Sequence, residues 1–394
     1  MKENKSRIGG FGMVNDAYPG GIMADEILTP GEKQIRGLFV TGGNPLITMA
    51  ESTKLKKAFE DLELLVCLDI YLNETGSVAD YVLPCTDPLQ RPDLPFIFPL
   101  MLGLQARPYL QATKAMVPPE GVQRDEASIY IELAKASGFP LWGSKVAQKF
   151  FEGMLKLHKL DNGQRSIPQQ TLLNMLLLLN RQPGFKKLVK TKHGKLRPDH
   201  KEDDFLGKRV FTENGKIDLA PSLLMDRAEL LDELFEKEKS TTTFKLITKR
   251  AVQTHNSWTH NIDRMIKGTE NTNFLYLNPE DAEELGLEPG QFADVTSAHA
   301  TVRIPVKHLQ ELMKGTVAMP HGWGHQHAKG LNVANKTNGV NVNILAGSGP
   351  DQIDPVSGMS KLTALEVTIT PSKGKRAHTW SGIEEEMEPV KIEG

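Results

Sequence analysis

The chain has 394 residues, 39% of them hydrophobic and 24% charged, which is enough for two or three domains with sizeable cores. A formal net charge of −2 excludes a bulk electrostatic preference for nucleic acid or an anionic membrane. Two cysteines, Cys67 and Cys85, exclude a cysteine-held iron–sulfur cluster within these residues, since such a cluster needs about four thiolates.

Residues 1–35 are rich in Gly, Pro and Asp without a clear period and read as irregular chain. IRGLFVTGG, from Ile35, is a short apolar run ended by two glycines, a strand entering a tight turn. STKLKKAFEDL has a charged helical period, and LELLVCLDI is a second apolar run with Asp69 near its end. NETGSVADYVLP gives a polar turn or short helix and a third run closed by Pro84. Strand, helix, strand, turn, strand is the grammar of an open parallel α/β sheet.

Residues 85–125 are proline-rich and irregular, and DEASIYIELAKASG is an amphipathic helix closed by Gly138. The apolar run LLNMLLLL reads as a buried helix, too short to span a bilayer. KKLVKTKHGKLRPDHK reads as a solvated surface loop, and the NG of TENGKIDLAP as a tight turn between two extended pieces. MDRAELLDELFEKEK is a helix leading to a linker at 240–243. From Phe244 the pieces FKLITKR, NFLYLN, QFADVTSAH, ATVRIPVK, GTVAMP and LEVTIT are short strands, with NPEDAEELGL as one helix among them. Such a succession argues a β-barrel or sandwich.

Chemistry could sit in five places. The TGGNP at Thr41–Pro45 lets backbone amides approach an anion, or simply turns the chain. Asp69 lies where open α/β sheets bind ligands and could accept the two donors of a guanine edge, or act as a turn aspartate. RAVQTHNSWTHN crowds Arg250, His255, Ser257 and Trp258 into one segment after a strand, and could bind phosphate and a heterocycle or be a polar turn. HGWGHQH, with His321, His325 and His327 and with glycines flanking Trp323, reads as a glycine-rich loop against a flat ligand rather than a metal site. Asn341 and Asn343 of GVNVNIL could read a heterocycle or cap loops. Without a GxGxxG, a Walker loop or a Ser–His–Asp order, residue chemistry alone ends at a two-domain ligand binder.

The stretch VTGGNPLITMAESTKLKKAFEDLELLVCLDIYLNETGSVADYVLP resembles the guanine-nucleotide-binding part of the molybdopterin oxidoreductase family, which includes formate dehydrogenases, nitrate reductases and sulfoxide reductases. RAVQTHNSWTHN, LYLNPEDAEELGLEPGQFADVTS, GTVAMPHGWGHQ, GVNVNIL and DPVSG resemble, in order, that family's C-terminal dinucleotide-binding domain. The likeness covers roughly residues 35–140 and 205–370. It implies an α/β open parallel sheet domain followed by a mostly-β double-psi barrel domain. The limits are residues 1–140 for a partial α/β domain, 141–243 for a helical and irregular connection, 244–372 for the barrel and 373–394 for a tail.

The resemblance implies a bis-molybdopterin guanine dinucleotide cofactor carrying molybdenum or tungsten. Gly43, Asn44, Asp69, Glu74, Thr75 and Asp80 match one binding motif, and Arg250, His255, Ser257, Trp258, His321, Gly322, Trp323, Asn341 and Asn343 match the others. It assigns no catalytic residue and no metal ligand to this chain. The family's 4Fe–4S cluster and metal-ligating residue are expected in an N-terminal part outside these residues. The expected activity is two-electron oxidoreduction of a small-molecule substrate, formate dehydrogenase-like or related. The expected partner is an N-terminal half or an electron-transfer subunit, the place is the cytoplasm, and the chain alone is expected to be inactive. The alternative is a non-catalytic cofactor-binding module or a truncated remnant. The linker at 240–243 adds the expectation that the barrel docks only loosely on the α/β part.

Overall fold

The computed structural model describes residues 5–13, 17–95, 109–160, 166–199, 210, 212–251, 254–266, 271–354, 357–374 and 377. Most of the expected tail, 373–394, lies outside them. In chain order the first elements are helix α1 (Met23–Leu28), strand β1 (Gly37–Thr41), helices α2 (Pro45–Thr48) and α3 (Ser52–Glu60), strand β2 (Leu64–Asp69), helix α4 (Glu74–Val78) and strand β3 (Tyr81–Pro84). β1 and β2 pair in parallel, from Gly37 beside Leu64 to Thr41 beside Leu68, and β3 completes a three-stranded sheet in the order β1–β2–β3. Leu55, Ala58 and Phe59 of α3 lie one helical turn apart and bury against Val40, Leu65 and Cys67 of the sheet. Both cysteines are buried thiols outside any disulfide, and burial pushes that of Cys67 up to about 11.

Two compact units form, and they do not follow chain order. Residues 1–82 and 222–394 make one, and residues 83–221 the other. The second unit holds a two-stranded ribbon of β4 (Tyr109–Leu110) and β5 (Lys195–Leu196), with helices α5 (Glu126–Ser137), α6 (Lys145–Leu160), α7 (Ile167–Leu179) and α8 (Phe185–Lys190). Asp125 caps α5 by accepting the Ser128 amide at 2.9 Å, and Gly138 ends it in the left-handed region at φ 74°. The leucine run lies in α7 but is buried on one side only, since Leu177 is covered and Leu179 is 79% exposed. The basic run is not all loop. Phe185 and Leu188 sit three residues apart and bury one face of α8, which is why it winds.

Back in the first unit, the charged helix expected over 225–239 is broken at Glu229–Leu230 into α9 (Ser222–Ala228) and α10 (Leu231–Lys239). The turn around Gly215 (φ 65°), at the end of the second unit, has no strand on either side among the described residues. Then come β6 (Phe244–Lys249), β7 (Leu275–Leu277), α11 (Pro279–Leu285), β8 (Phe292–Thr296), β9 (Thr301–His308), β10 (Thr316–Pro320) and β11 (Leu365–Pro371). The six strands close into a barrel in the order β10–β6–β11–β8–β9–β7, with β6–β10 and β7–β9 parallel and the other pairs antiparallel. Alternate residues point inward, so Ala293 and Val295, Val302, Ile304 and Val306, and Val317 and Met319 fill one core. Closure removes both sheet edges.

The barrel is not loosely docked on the α/β part, contrary to expectation. The Asn341 side-chain amide donates to the Leu46 carbonyl (3.1 Å) and Ser52 Oγ (3.0 Å), and that of Asn343 to the Ile47 carbonyl (2.7 Å). Ser348 donates to Glu51 from its amide (2.9 Å) and hydroxyl (2.6 Å), and the Gly330 amide donates to the Leu72 carbonyl at 3.0 Å. Asn341, Asn343 and Ser52 are buried, so separating the parts would strand several polar groups, each costing about 1–3 kcal/mol if left unpaired.

Candidate functional site

Parallel pairing brings two turns side by side at the carboxyl ends of β1 and β2. Gly42 takes φ 59°, which turns the chain sharply after β1. The Asp69 carboxylate accepts the Tyr71 amide at 3.0 Å and the Asn73 side-chain amide at 3.2 Å, and Asn73 also reaches the Gly43 carbonyl at 3.4 Å. Asn44 donates to Glu74 Oε2 at 2.5 Å and accepts from the Thr75 amide and hydroxyl at 3.3 and 2.9 Å. Gly43, Asn44, Asp69, Glu74 and Thr75 therefore form one hydrogen-bonded group. Asp80 stands apart from it: its carboxylate accepts the Leu65 amide at 2.7 Å and its own amide donates to the Leu65 carbonyl at 3.0 Å, pinning the approach to β3.

Two turns of the barrel face each other. The one after β6 carries His255 (φ 32°) and Asn256 (φ 62°), a bend held by Arg250 Nη1 donating to Asn256 Oδ1 at 2.7 Å. Ser257 follows, and Trp258 is 54% exposed. The other turn, after β10, carries His321, Gly322 and Trp323. A Cβ on Gly322, at φ 88°, would lie 2.0 Å from the Asn256 carbonyl oxygen, so the turns meet backbone to backbone. Burial, and then the charge of Arg250, push the His321 imidazole below its ordinary range. The Trp323 ring lies 4.2 Å from that of His260, and its indole nitrogen has no hydrogen-bond partner among the described residues.

Between these turns and α2 is a cavity of about 310 Å³, lined by Ile47, Thr48, Thr248, Asn256, His321, Gly322, Asn343 and Leu362. The expected residues His321, Gly322 and Asn343 line it; Arg250 stands behind it through Asn256, and His255 and Ser257 flank Asn256 in its turn. Trp258 is on the same turn but turned outward, and Trp323 lines a second cavity of about 150 Å³ with Lys307 and Tyr276. Asn341 is consumed in holding the α/β part. Asn343 Nδ2 is likewise committed, which leaves its carbonyl oxygen as the group it can offer.

Sequence reasoning did not place Thr48, Thr248 or Asn256 in the site, and did not foresee that His260 and His325 would form a buried pair. Thr248 was within reach, because alternation places it on the same face as Phe244 and Leu246. The histidine pair was not, because their meeting depends on the folding of separated loops. His325 Nδ1 bonds Glu74 Oε1 at 2.8 Å, and His325 Nε2 bonds His260 Nδ1 at 2.9 Å, with His260 and His325 fully buried.

Chemically the cavity is free of carboxylates, and a few polar groups stand in a wall that is mostly apolar surface. It offers two hydroxyls, two amides and the buried Nδ1 of His321, which has no partner among the described residues. Such a donor set suits the edge of a heterocycle or a ribose. At Gly322 the space a side chain would take is filled by the Asn256 backbone, so the glycine serves the meeting of the two turns. Among the described residues no group of three or more His, Cys, Asp or Glu is placed to hold a metal ion.

Comparison with known proteins agrees with these features. Residues 244–365 match the molydopterin dinucleotide binding domain, and residues 8–136 match the molybdopterin oxidoreductase model. The chain belongs to the molybdopterin oxidoreductase family. It is 22% identical over 340 residues to a trimethylamine-N-oxide reductase of Haemophilus influenzae, covering 78% of this chain and 39% of the relative. It is 27% identical over 306 residues to the alpha subunit of an F420-dependent formate dehydrogenase of Methanococcus maripaludis, covering 76% and 40%. In fold it resembles the solved acetylene hydratase from Pelobacter acetylenicus, with a TM-score of 0.63 at 20% identity over 89% of this chain and 46% of that one. The chain thus spans about two fifths of the length of these curated relatives. A molybdopterin dinucleotide is the ligand that the matched domain denotes. No described helix is long and apolar enough to cross a membrane.

Proposed function

We propose that this chain is the dinucleotide-binding part of a bis-molybdopterin guanine dinucleotide oxidoreductase, formate dehydrogenase-like or related, acting on a small-molecule substrate. The observation that carries this reading is the carboxylate-free cavity of about 310 Å³ between α2 and the barrel, because its lining comes from both segments matched by the family models. In this reading the spans 1–140 and 244–372 are the two dinucleotide-binding segments, 141–243 connects them, and the closed barrel is of the double-psi type. Gly43, Asn44 and Asp69 grip one guanine nucleotide with Glu74 and Thr75 behind them, and Asp80 supports them by fixing the sheet. Thr48, Thr248, Asn256, His321, Gly322 and Asn343 hold the other dinucleotide, with Arg250, His255, Ser257, Trp258 and Trp323 flanking and Asn341 fixing the wall.

When bound, the cofactor supplies the redox chemistry through its molybdenum or tungsten and dithiolenes. This chain's residues bind and orient. The carboxylate-free wall avoids repelling phosphates, and burial keeps the His321 imidazole neutral and able to hydrogen-bond rather than attract a counter-ion. A 4Fe–4S cluster, the metal-ligating residue and an electron-transfer partner belong to other segments or subunits of the working enzyme, placed in the cytoplasm, and the chain alone is inactive.

Asp69 is the point of test. Its oxygens already hold the turn, and a guanine edge would add donors to them. Calorimetry should show guanosine diphosphate binding more tightly than adenosine diphosphate, and Asp69→Ala weakening it by about 1–3 kcal/mol. Equal affinity for the two nucleotides in the unaltered chain would sink this reading.

A further inference from the structure

The second cavity, of about 150 Å³, shares no lining residue with the first, although β6, β10 and the turns that follow them supply both. Thr248, Asn256, His321 and Gly322 line the first; Ala251, Thr254, Pro320 and Trp323 line the second. β7 and β9 complete it with Tyr276 and Lys307, whose chain neighbours Leu275, Leu277 and Val306 point into the barrel core. Its wall is therefore the outer side of the barrel, and it is more polar than apolar.

Three of its polar side chains are already committed. The Thr254 hydroxyl donates to the Ala251 carbonyl at 3.2 Å, and that of Thr272 to the Asn273 carbonyl at 3.1 Å. The Asn273 side-chain amide donates to the Pro320 and Val340 carbonyls, both at 2.9 Å, and its oxygen accepts the Val340 amide at 2.9 Å. The groups that remain can all donate: the Trp323 indole N–H, the Tyr276 hydroxyl and the Lys307 ammonium. Trp323 is 3% exposed, and its Nε1 has no hydrogen-bond partner among the described residues. A Cβ on Gly339 would lie 2.3 Å from Trp323 Cε3 and 2.9 Å from its Cβ, and the His260 ring lies against the indole with centroids 4.2 Å apart. Nε1 is on the edge opposite Cβ and Cε3, the edge left to the cavity that Trp323 lines. A buried N–H without an acceptor is costly, so whatever fills this space must accept from it.

Two cations stand at the same wall. Lys307 Nζ lies 4.7 Å from the centre of the Phe274 ring and Lys249 Nζ 4.0 Å from that of Tyr276, and both rings line the cavity. Neither ammonium has an ion pair among the described residues, and no carboxylate lines the cavity. Water would satisfy the indole but gain nothing from the cations; a small oxyanion uses both. The volume suits a molecule of a few heavy atoms, such as acetate or carbonate, rather than a nucleotide. We propose that this cavity binds a small free carboxylate or carbonate, with one oxygen accepting from Trp323 Nε1 and another from Lys307 Nζ, and with Lys249 adding to the positive field. The site stands apart from the cofactor-binding reading, and either can fail without the other.

The test uses the full chain with 15N-labelled tryptophan. Of its four indole N–H resonances, that of Trp323 is identified by its absence from Trp323→Phe, or by sequential assignment if that variant does not fold. Titration of the unaltered protein with sodium acetate, at an ionic strength held with sodium chloride, should move the Trp323 resonance to a plateau and leave the other three in place. Lys307→Gln should raise the acetate Kd roughly threefold to tenfold, the loss of one charge-assisted hydrogen bond from a partly open site. Guanosine diphosphate should leave the acetate-shifted resonance where it is. A Trp323 resonance that acetate does not move, or that drifts without a plateau alongside the other indoles, overturns the proposal on the unaltered protein alone. An unchanged Kd in Lys307→Gln overturns it as well, and displacement of acetate by guanosine diphosphate would make the space an extension of the first cavity.

Discussion

His260 is packed beneath Trp323 and against His325, and burial holds its pKa at about 3 against an ordinary 6.5. The unfolded chain therefore takes up a proton at this position between pH 6.5 and 3, whereas the folded chain does not. This contribution to stability is full above pH 6.5 and is lost as the pH falls through that window, at up to about 1.4 kcal/mol per pH unit. Thermal melting of the unaltered protein and of His260→Gln across that range should show a shallower acid loss in the variant, and identical slopes would remove His260 as the source. At this scale the sequence was partly legible. RAVQTHNSWTHN and HGWGHQH were seen as polar loops, and the match to the family's motifs favoured His255 and His321 as ligand-facing. It gave no sign that His260 and His325 would meet 65 residues apart. Glu74 was read as a cofactor contact from its motif, yet its two oxygens are occupied by Asn44 and His325.

Among the elements, the strands were the most legible and the helices of residues 145–239 the least. The barrel strands place apolar core residues at alternate positions, as Ala293 and Val295 or Val302 and Ile304 show, a pattern that hardly depends on which strand pairs with which. In 225–239 the apolar residues have a helical period, but Leu231, Leu234 and Phe235 are exposed, so burial does not hold one continuous helix. The turns were legible as glycine-rich, but not their reason. Gly322 is required twice over, by its left-handed φ of 88° and by the Asn256 carbonyl lying 2.0 Å from where a Cβ would be. Gly322→Ala must therefore move the turn after β6 as well as its own. It should destabilise the chain by about 1–3 kcal/mol, as overpacking does, and weaken guanosine diphosphate binding beyond that. A variant that melts and binds like the unaltered chain would mean that the two turns are not in contact.

For the molecule as a whole, the unit that matters is discontinuous. Residues 1–82 pack with 222–394, and the buried amides of Asn341 and Asn343 close the seam. Sequence reading put a boundary at the polar linker 240–243 because composition changes there. The packing shared across the seam involves residues nearly the whole chain apart, which no local pattern reports. A piece comprising residues 244–394 should consequently be poorly folded alone and recover cooperative melting when co-expressed with residues 1–243. If the piece alone melts as sharply as the full chain, the barrel is independent and the seam is an ornament of an already stable body.

The same seam has a meaning in time. A ribosome releases Leu46 and Ile47 early, yet the asparagines that accept them into a finished interior come 295 and 296 positions later. Until then α2 and the start of α3 lack these partners, and closing so long a loop is slow as well as costly in entropy. The nascent chain thus spends most of its synthesis with an adhesive surface on its oldest segment. Its yield in a cell should depend on a holding chaperone more than its final stability suggests.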